Sequence, residues 1–356
     1  MPISPKATAS LSKRISTTSA CGTRLHPRMG PDFAPATRKE RALESLTRGR
    51  NAWNPDVRHL DTTKVLTGEP RSNCSRQKLP IHKRLITNMT VFIVCHKDLP
   101  SYPPPEGAKI IWLNSKPPLE NKGMDVIAGY DFFSEPEEIH AKLSGSLGTI
   151  VIAKVVSEES AKPRNITIWQ YRKFLTRLKI GTPNPEYPGM NTTNSEEVLI
   201  TKPENPAIFT ESFFLPRPLN LHNISQHYAR FHNIVDFLRY TAFSIEANTL
   251  TQAEALHFFN SSTFVPGGIE LGTYPTDWWL DTFVRLVAPS FEFAKRYQPF
   301  QAEDPVQKRA ISFCQERLGS YLLIKRIAEL YGNSLPGSLF GEIATVSNDG
   351  VYTSGV

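Results

Sequence analysis

Thr90-Val91-Phe92-Ile93-Val94-Cys95 is apolar with scarcely an interruption, the pattern of a strand covered on both faces and of the kind that opens an α/β domain. Lys109-Ile110-Ile111-Trp112-Leu113 and Thr149-Ile150-Val151-Ile152-Ala153 repeat it. A fourth strand, Ile166-Thr167-Ile168-Trp169, runs directly into Gln170-Tyr171-Arg172-Lys173-Phe174. Between them Asn121 to Asp125 reads as a loop, and Glu135 to Leu143 as a short helix with Ser134 as cap and Pro136 at its start. Residues 181–220 hold seven prolines and little period, which predicts a long surface loop.

Beyond residue 220 the pattern turns helical. A helix over Ser225 to Tyr240 would set His232 and Asp236 one turn apart on one face. Leu250 to Phe259 opens with the capping box Thr251-x-x-Glu254, and His257 reads as a partly buried packing residue. The stretch from Asn260 to Leu323 organises the rest. A short apolar run, Thr263 to Pro266, passes through Gly267-Gly268 into a helix with Thr276 at the N-cap position. Trp278, Trp279, Leu280, Phe283, Val284, Leu286 and Val287 form its broad apolar face, and Pro289 should end or kink it. A second helix is expected from Asp304 as cap and Pro305 at its first position, carrying Val306, Ala310, Phe313, Cys314, Leu318, Tyr321 and Leu322 at helical spacing. Glu316-Arg317 lies inside it and reads as a salt-bridged pair at the edge of the buried face.

Charge divides the chain unevenly. Its formal net charge of +7 is the sum of +11 in residues 1–88 and −4 in the rest. Residues 1–88 are rich in Ser, Thr, Arg and Pro and lack apolar periodicity, so they read as a disordered basic tail, with Met89 as the expected start of the folded unit. Met1 to Arg28 has the composition of an organellar transit peptide, against which stand Pro2, Pro5 and the want of an amphipathic helix. The tail has few aromatics to interleave with its charges, so no nucleic-acid partner is expected. Cys21, Cys74, Cys95 and Cys314 form no CxxC pair, which argues against a disulfide framework or a zinc ribbon. No apolar run reaches the roughly 18 residues of a membrane span, so the compartment expected is the cytoplasm, with a place at a membrane surface left open.

Candidate chemistry lies at strand ends and in one polar cluster. In a parallel sheet ligands bind beyond the carboxyl ends of strands, which puts His96 and Lys97 on the functional edge. Arg172 and Lys173, just past a strand, could hold phosphates by charge-assisted hydrogen bonds; the competing reading is the solvated face of a helix start. His222, Gln226, His227, Tyr228, His232, Asn233 and Asp236 make a dense polar group. Two histidines five apart lack the i, i+4 placement of a helical zinc pair, so packing and substrate hydrogen bonds are preferred there, with Asp236 orienting His232 or acting as general base.

In order along residues 89–331, these pieces resemble the capsular-polysaccharide-type glycosyltransferases. Val94-Cys95-His96-Lys97 is similar to that family's strand and Thr-His-Lys, and Trp169 to Phe174 to its His-Tyr-Arg-Arg-Tyr-Phe. Tyr228, His232, Asp236 and Phe237 align with Tyr-x-x-x-His-x-x-x-Asp-Leu, Ser262 to Pro266 with Asn-Met-Phe-Ile-Met, and Glu316-Arg317-Leu318 with Glu-Arg-Leu-Leu. The family's acidic Asp-Asp-Thr-Gly-Asp-Asn loop corresponds to Asn121 to Asp125 with most carboxylates replaced, Gln170 and Ser262 replace a histidine and an asparagine, and no Asp-x-Asp follows Met89.

The resemblance implies a GT-A-like Rossmann-type α/β sheet followed by a helical C-terminal portion, with a flexible segment over 332–356. It implies transfer of a hexose or related sugar from a nucleotide-sugar donor to a glycan acceptor, with Mn²⁺ or Mg²⁺ as the candidate cofactor. Its site residues would be Asp236 and His232 for catalysis, His96, Lys97, Tyr171, Arg172 and Arg317 for the donor diphosphate, and Tyr228, Ser262 and Glu316 for positioning. A degenerate member that binds nucleotide sugar or glycan without turnover is the alternative.

Overall fold

A computed structural model describes residues 89–347 apart from 117, 119, 122, 186, 209–210, 299–302 and 333, so the tail expected over 1–88 lies outside the described residues. Four strands form its first half: β1 (Met89–Cys95), β2 (Lys109–Trp112), β3 (Asp125–Ala128) and, after helices α1 (Pro136–Leu143) and α2 (Ser146–Glu158), β4 (Asn165–Gln170). They lie parallel in the order β3-β2-β1-β4, with Phe92 opposite Lys109 and Met89 opposite Asn165. The order reverses direction between β1 and β4, and in open parallel sheets ligands bind at such a point, beyond the strands' carboxyl end.

The sheet continues through β5 (Lys173–Thr176), which doubles back on β4 across the two-residue turn Tyr171-Arg172. Next come β6 (Thr182–Pro183), β7 (Met190–Thr193), α3 (Ser195–Thr201), β8 (Leu215–Pro216) and β9 (Leu219–Asn220). The helical portion follows: α4 (Ile224–Phe231), α5 (Ile234–Glu246), α6 (Gln252–Asn260), β10 (Thr263–Phe264), β11 (Gly272–Pro275), α7 (Thr276–Arg296) and α8 (Ala310–Tyr331). Last, β12 (Phe340–Val346) enters the same sheet between β5 and β7, and β11 pairs antiparallel with the start of β4.

Several expectations are corrected. Thr149 to Ala153 is the middle of α2, not a strand; every residue from Ser146 to Ala153 is buried, and an unbroken apolar run cannot by itself distinguish helix from strand. Gly148 lets α2 press on β1, since a Cβ there would lie 2.6 Å from Val94 Cγ1. Asp125 begins β3 instead of closing a loop, and residues 181–220 supply strands and α3 instead of one long loop. Part of the segment expected to be flexible over 332–356 is β12, with Ile343, Ala344 and Val346 buried. His257 is exposed. Glu135, not Ser134, is the N-cap of α1.

Pro289 does not end the helix: α7 runs through it. Proline frees the carbonyl four residues earlier, and here Arg285 O accepts from Thr249 Oγ1 at 2.6 Å, so the lost bond is made good from outside the helix. Thr276 is the first residue of α7, with Pro275 at the N-cap. Asp304 caps a turn through Val306 N–H at 2.7 Å, a 3-10 turn spans Gln307–Arg309, and α8 begins only at Ala310. Ser225 to Tyr240 is two helices: His232 ends α4 and Asn233 caps α5 through Val235 N–H at 2.9 Å.

Candidate functional site

The carboxyl ends of β1 and β4 open onto a cleft of about 510 Å³ whose opposite wall is the start of α8 and the loop from Phe264 to Leu271. On the sheet side the Tyr171-Arg172 turn is pinned from both flanks: Tyr171 N–H donates to Val94 O at 3.0 Å and Val346 N–H to Arg172 O at 2.8 Å. The Arg172 guanidinium stands over the Tyr171 ring at 5.0 Å, and His96 meets the same ring edge-on at 4.8 Å. Lys173 lines the cleft beside them. The reading of Arg172 and Lys173 as a helix start does not hold, because they form a hairpin.

The helical wall adds Arg309 and Arg317. Arg309 Nε donates to Ser144 Oγ at 3.2 Å, and its guanidinium covers the Phe313 ring at 5.1 Å. Arg317 is 4% exposed. Its Nη1 donates to Phe313 O at 2.9 Å, its Nη2 lies 3.4 Å from His227 Nδ1, and the Tyr228 and Phe264 rings take its faces at 4.9 and 5.6 Å. Glu316 Oε2 is 3.8 Å from Nη1, so the pair is ionic as expected, but Arg317 is in the interior and does not snorkel. Arg317 Nε and His232 Nδ1 are buried without a partner among the described residues.

Burial, above all, holds the cleft's histidines neutral. It lowers His96 to about 4, with His140, Arg309, Lys97 and Arg172 adding to the effect. His227 is lowered to about 4 by burial, Arg317 and Arg230, and His232 to about 3 by burial, Arg317, His227 and Arg309. His140, bonded through Nδ1 to the Tyr130 hydroxyl at 2.6 Å, is lowered by burial alone. The cleft is thus cationic, floored by neutral imidazoles, with Glu270 and Glu316 as its acidic lining.

His96, Tyr171, Arg172, His232, Glu316 and Arg317 are brought together as expected. Four expected residues are not. Lys97 is exposed on the loop after β1 and is not among the residues that line the cleft. Ser262 is exposed and contributes its carbonyl to Leu221 N–H at 2.6 Å. Tyr228 is fully buried behind the wall, where it supports Arg317 and does not touch a ligand's place. Asp236 has no exposure and sits in the first turn of α5, off the cleft, so it cannot serve as general base there. The helix break at His232-Asn233 removes the shared face on which that assignment rested.

His140, Glu270 and Arg309 were not foreseen. Only Glu270 carries a sequence signal: a lone carboxylate between Ile269 and Leu271, after two glycines, in an otherwise buried stretch. Among the described residues no three His, Cys, Asp or Glu side chains are gathered that could hold a metal ion by protein ligands alone. A second cavity, about 720 Å³ beyond the ends of β2 and β3, has Glu120 and Asp131 but no Lys, Arg or His in its described lining.

No protein-family model and no curated protein matches the chain. A solved structure it resembles is the apo form of the bifunctional glycosyltransferase WbbM, with TM-score 0.53 and 15% identity over 73% of this chain and 45% of that one. The chain therefore spans less than half of that protein's length. The likeness shows the fold: a glycosyltransferase-like mixed α/β sheet followed by helices. No single helix among the described residues is long and apolar enough to cross a membrane.

Proposed function

We propose that the cleft binds a nucleotide-activated sugar through its diphosphate and transfers the sugar, a hexose or a relative of one, to a glycan hydroxyl. The supporting observation is the convergence of Arg172, Lys173, Arg309 and Arg317 around one cleft at the strands' carboxyl ends, in a fold shared with a glycosyltransferase. Transfer requires neutralising a departing diphosphate, deprotonating the acceptor and excluding water. Arg172 and Lys173 supply charge from the pinned hairpin and Arg309 from across the cleft, while the neutral imidazoles of His96 and His140 offer hydrogen bonds at no cost in protonation. Arg317, committed to Phe313 and His227, acts as a positioning residue. A glycan acceptor, a place in polysaccharide assembly and a cytoplasmic setting complete the reading, which follows the motif resemblance.

The test is a thermal-shift screen of the full chain against UDP-, GDP-, dTDP- and ADP-sugars, with and without Mn²⁺. A donor at about 100 times its dissociation constant should stabilise the fold by roughly 2.7 kcal/mol. A shift independent of Mn²⁺ would mean that the cationic side chains suffice. No shift with any donor would overturn the reading. A shift without release of nucleotide in the presence of glycan acceptors would identify a binder in place of an enzyme.

A further inference from the structure

The loop from Val265 to Leu271 is strapped down residue by residue. Val265 N–H donates to Ser320 Oγ at 2.7 Å and Gly267 N–H to Glu316 Oε1 at 2.7 Å. Trp279 Nε1 donates to Ile269 O at 2.9 Å, and the Tyr274 hydroxyl lies 3.0 and 2.8 Å from Gly268 O and Leu271 O. Gly268, at φ +55°, rests against α8 so closely that a Cβ would be 2.5 Å from Glu316 O. This fastening delivers one charged side chain, Glu270, to the cleft wall.

A buried relay fixes that carboxylate. Glu270 Oε1 accepts from Ser146 Oγ and from Gln315 Nε2, both at 3.0 Å. Gln315 Oε1 accepts from Ser290 Oγ at 2.6 Å, and Ser290 Oγ lies 2.9 Å from the Tyr240 hydroxyl. Ser146, Gln315, Ser290 and Tyr240 are each at most 2% exposed. Groups from α2, α5, α7 and α8 thus converge on Oε1, while Oε2 faces Gly145 on the cleft wall, 3.8 Å from where a Cβ there would be. Apolar packing would join the same helices without the cost of desolvating four polar side chains, so the network argues for a carboxylate whose position matters.

Glu316 is already spent on Gly267 and Arg317. We infer that Glu270 is the catalytic base of the transfer, an assignment that rests on the cleft's reading as a glycosyl-transfer site. The acceptor oxygen attacks the anomeric carbon, the bond from that carbon to the phosphate oxygen breaks with its electron pair leaving on the nucleoside diphosphate, and the hydroxyl proton passes to Glu270. Such a direct displacement inverts the anomeric centre. The groups that face Glu270 are Glu316 on α8, Arg309 before it, Tyr274 on β11 and Tyr240 on α5. Burial and then Glu316 raise Glu270 to about 7, where a base works near neutral pH.

The experiment uses the full chain, with UDP-glucose, UDP-galactose, UDP-N-acetylglucosamine and GDP-mannose as donor probes, and follows nucleotide release against pH. Glu270→Gln should bind the same donor as the wild type while release falls on the order of 100-fold or more, and the acidic limb near pH 7 should vanish. Glu316→Gln, whose side-chain oxygen can still accept from Gly267, should keep that limb but move it to lower pH, a response no merely structural Glu270 would give. Release within about tenfold of wild type in Glu270→Gln, a limb unmoved in Glu316→Gln, or a trapped glycosyl-enzyme would overturn the assignment. Failure of the wild type to bind any nucleoside-diphosphate sugar, these probes and the dTDP- and ADP-sugars alike, would overturn the cleft's reading, and the assignment with it.

Discussion

Binding of a nucleotide sugar at pH 5 should draw protons into the protein. His96 and His227 sit at about 4 and His232 at about 3, chiefly through burial and then through neighbouring positive charge. The diphosphate of a nucleotide sugar carries negative charge and has no group of its own titrating near pH 5. One unit of negative charge about 5 Å from an imidazole, at an effective dielectric near 20, is worth about 3 kcal/mol, or about 2 pKa units. That would move His96 to about 6, taking it from about one-tenth to about nine-tenths protonated at pH 5. His96 lies on the wall with Arg172, where the diphosphate is proposed to bind, so an uptake of about 0.8 proton is the minimum. Full response of His227 and His232 would raise it to about 2. Glu270, raised to about 7, is already protonated at pH 5 and adds nothing. Calorimetric titration at pH 5 in two buffers of different ionisation enthalpy gives the number directly. No uptake, or net release, would refute the placement of the diphosphate beside these histidines.

Arg172→Ala should weaken nucleotide-sugar binding by roughly 1.5–3 kcal/mol, the worth of charge-assisted hydrogen bonds, in the same titration. Thr249→Val strands the Arg285 carbonyl that Pro289 frees and should cost about 1–3 kcal/mol in chemical denaturation; an unchanged midpoint would mean that another group takes over. Gly268→Ala must place a methyl 2.5 Å from the Glu316 carbonyl at positive φ, so a loss of about 2–5 kcal/mol is expected, and an unaltered melt would disprove the close contact. Glu270→Gln should stabilise the protein at pH 8 by about 1–3 kcal/mol, judged from melts across pH. The sign follows from the raised carboxyl: its stabilising protonated form is fully kept below the ordinary value of 4.5 and lost as pH rises through about 7, so the gain should fade toward pH 5.

The sequence carries the parallel half of the sheet plainly, because β1, β2 and β4 are apolar runs of strand length, rich in β-branched and aromatic residues. It misleads at α2 for the same reason, since a helix buried on all sides loses its period; the length of the run, from Ser146 to Val156, was the better clue. β12 is invisible as a central strand because its partners β5 and β7 lie some 150 residues earlier. Part of the cleft was legible, namely the residues beside strand ends and in short motifs: His96, Tyr171, Arg172, His232, Glu316 and Arg317. Asp236 failed because two residues of non-helical backbone, His232 and Asn233, turn every following side chain to a new face. Arg309, His140 and Glu270 reach the cleft from a turn, a helix and a loop that only tertiary packing brings near, and spacing along the chain does not encode that.

The place of β12 bears on how the chain acquires its structure during synthesis. β1 to β4 can pair as soon as they leave the ribosome, but β5 and β7 have no continuous partner until Phe340–Val346 has been made. Through most of translation each presents an unsatisfied strand edge, the template on which chains join one another. The Tyr171-Arg172 turn shares that wait, because one of its two pins is the Val346 amide. The wall proposed to hold the diphosphate is therefore completed last, and a nascent chain that stalls before Val346 keeps the Tyr171-Arg172 turn by its Val94 pin alone.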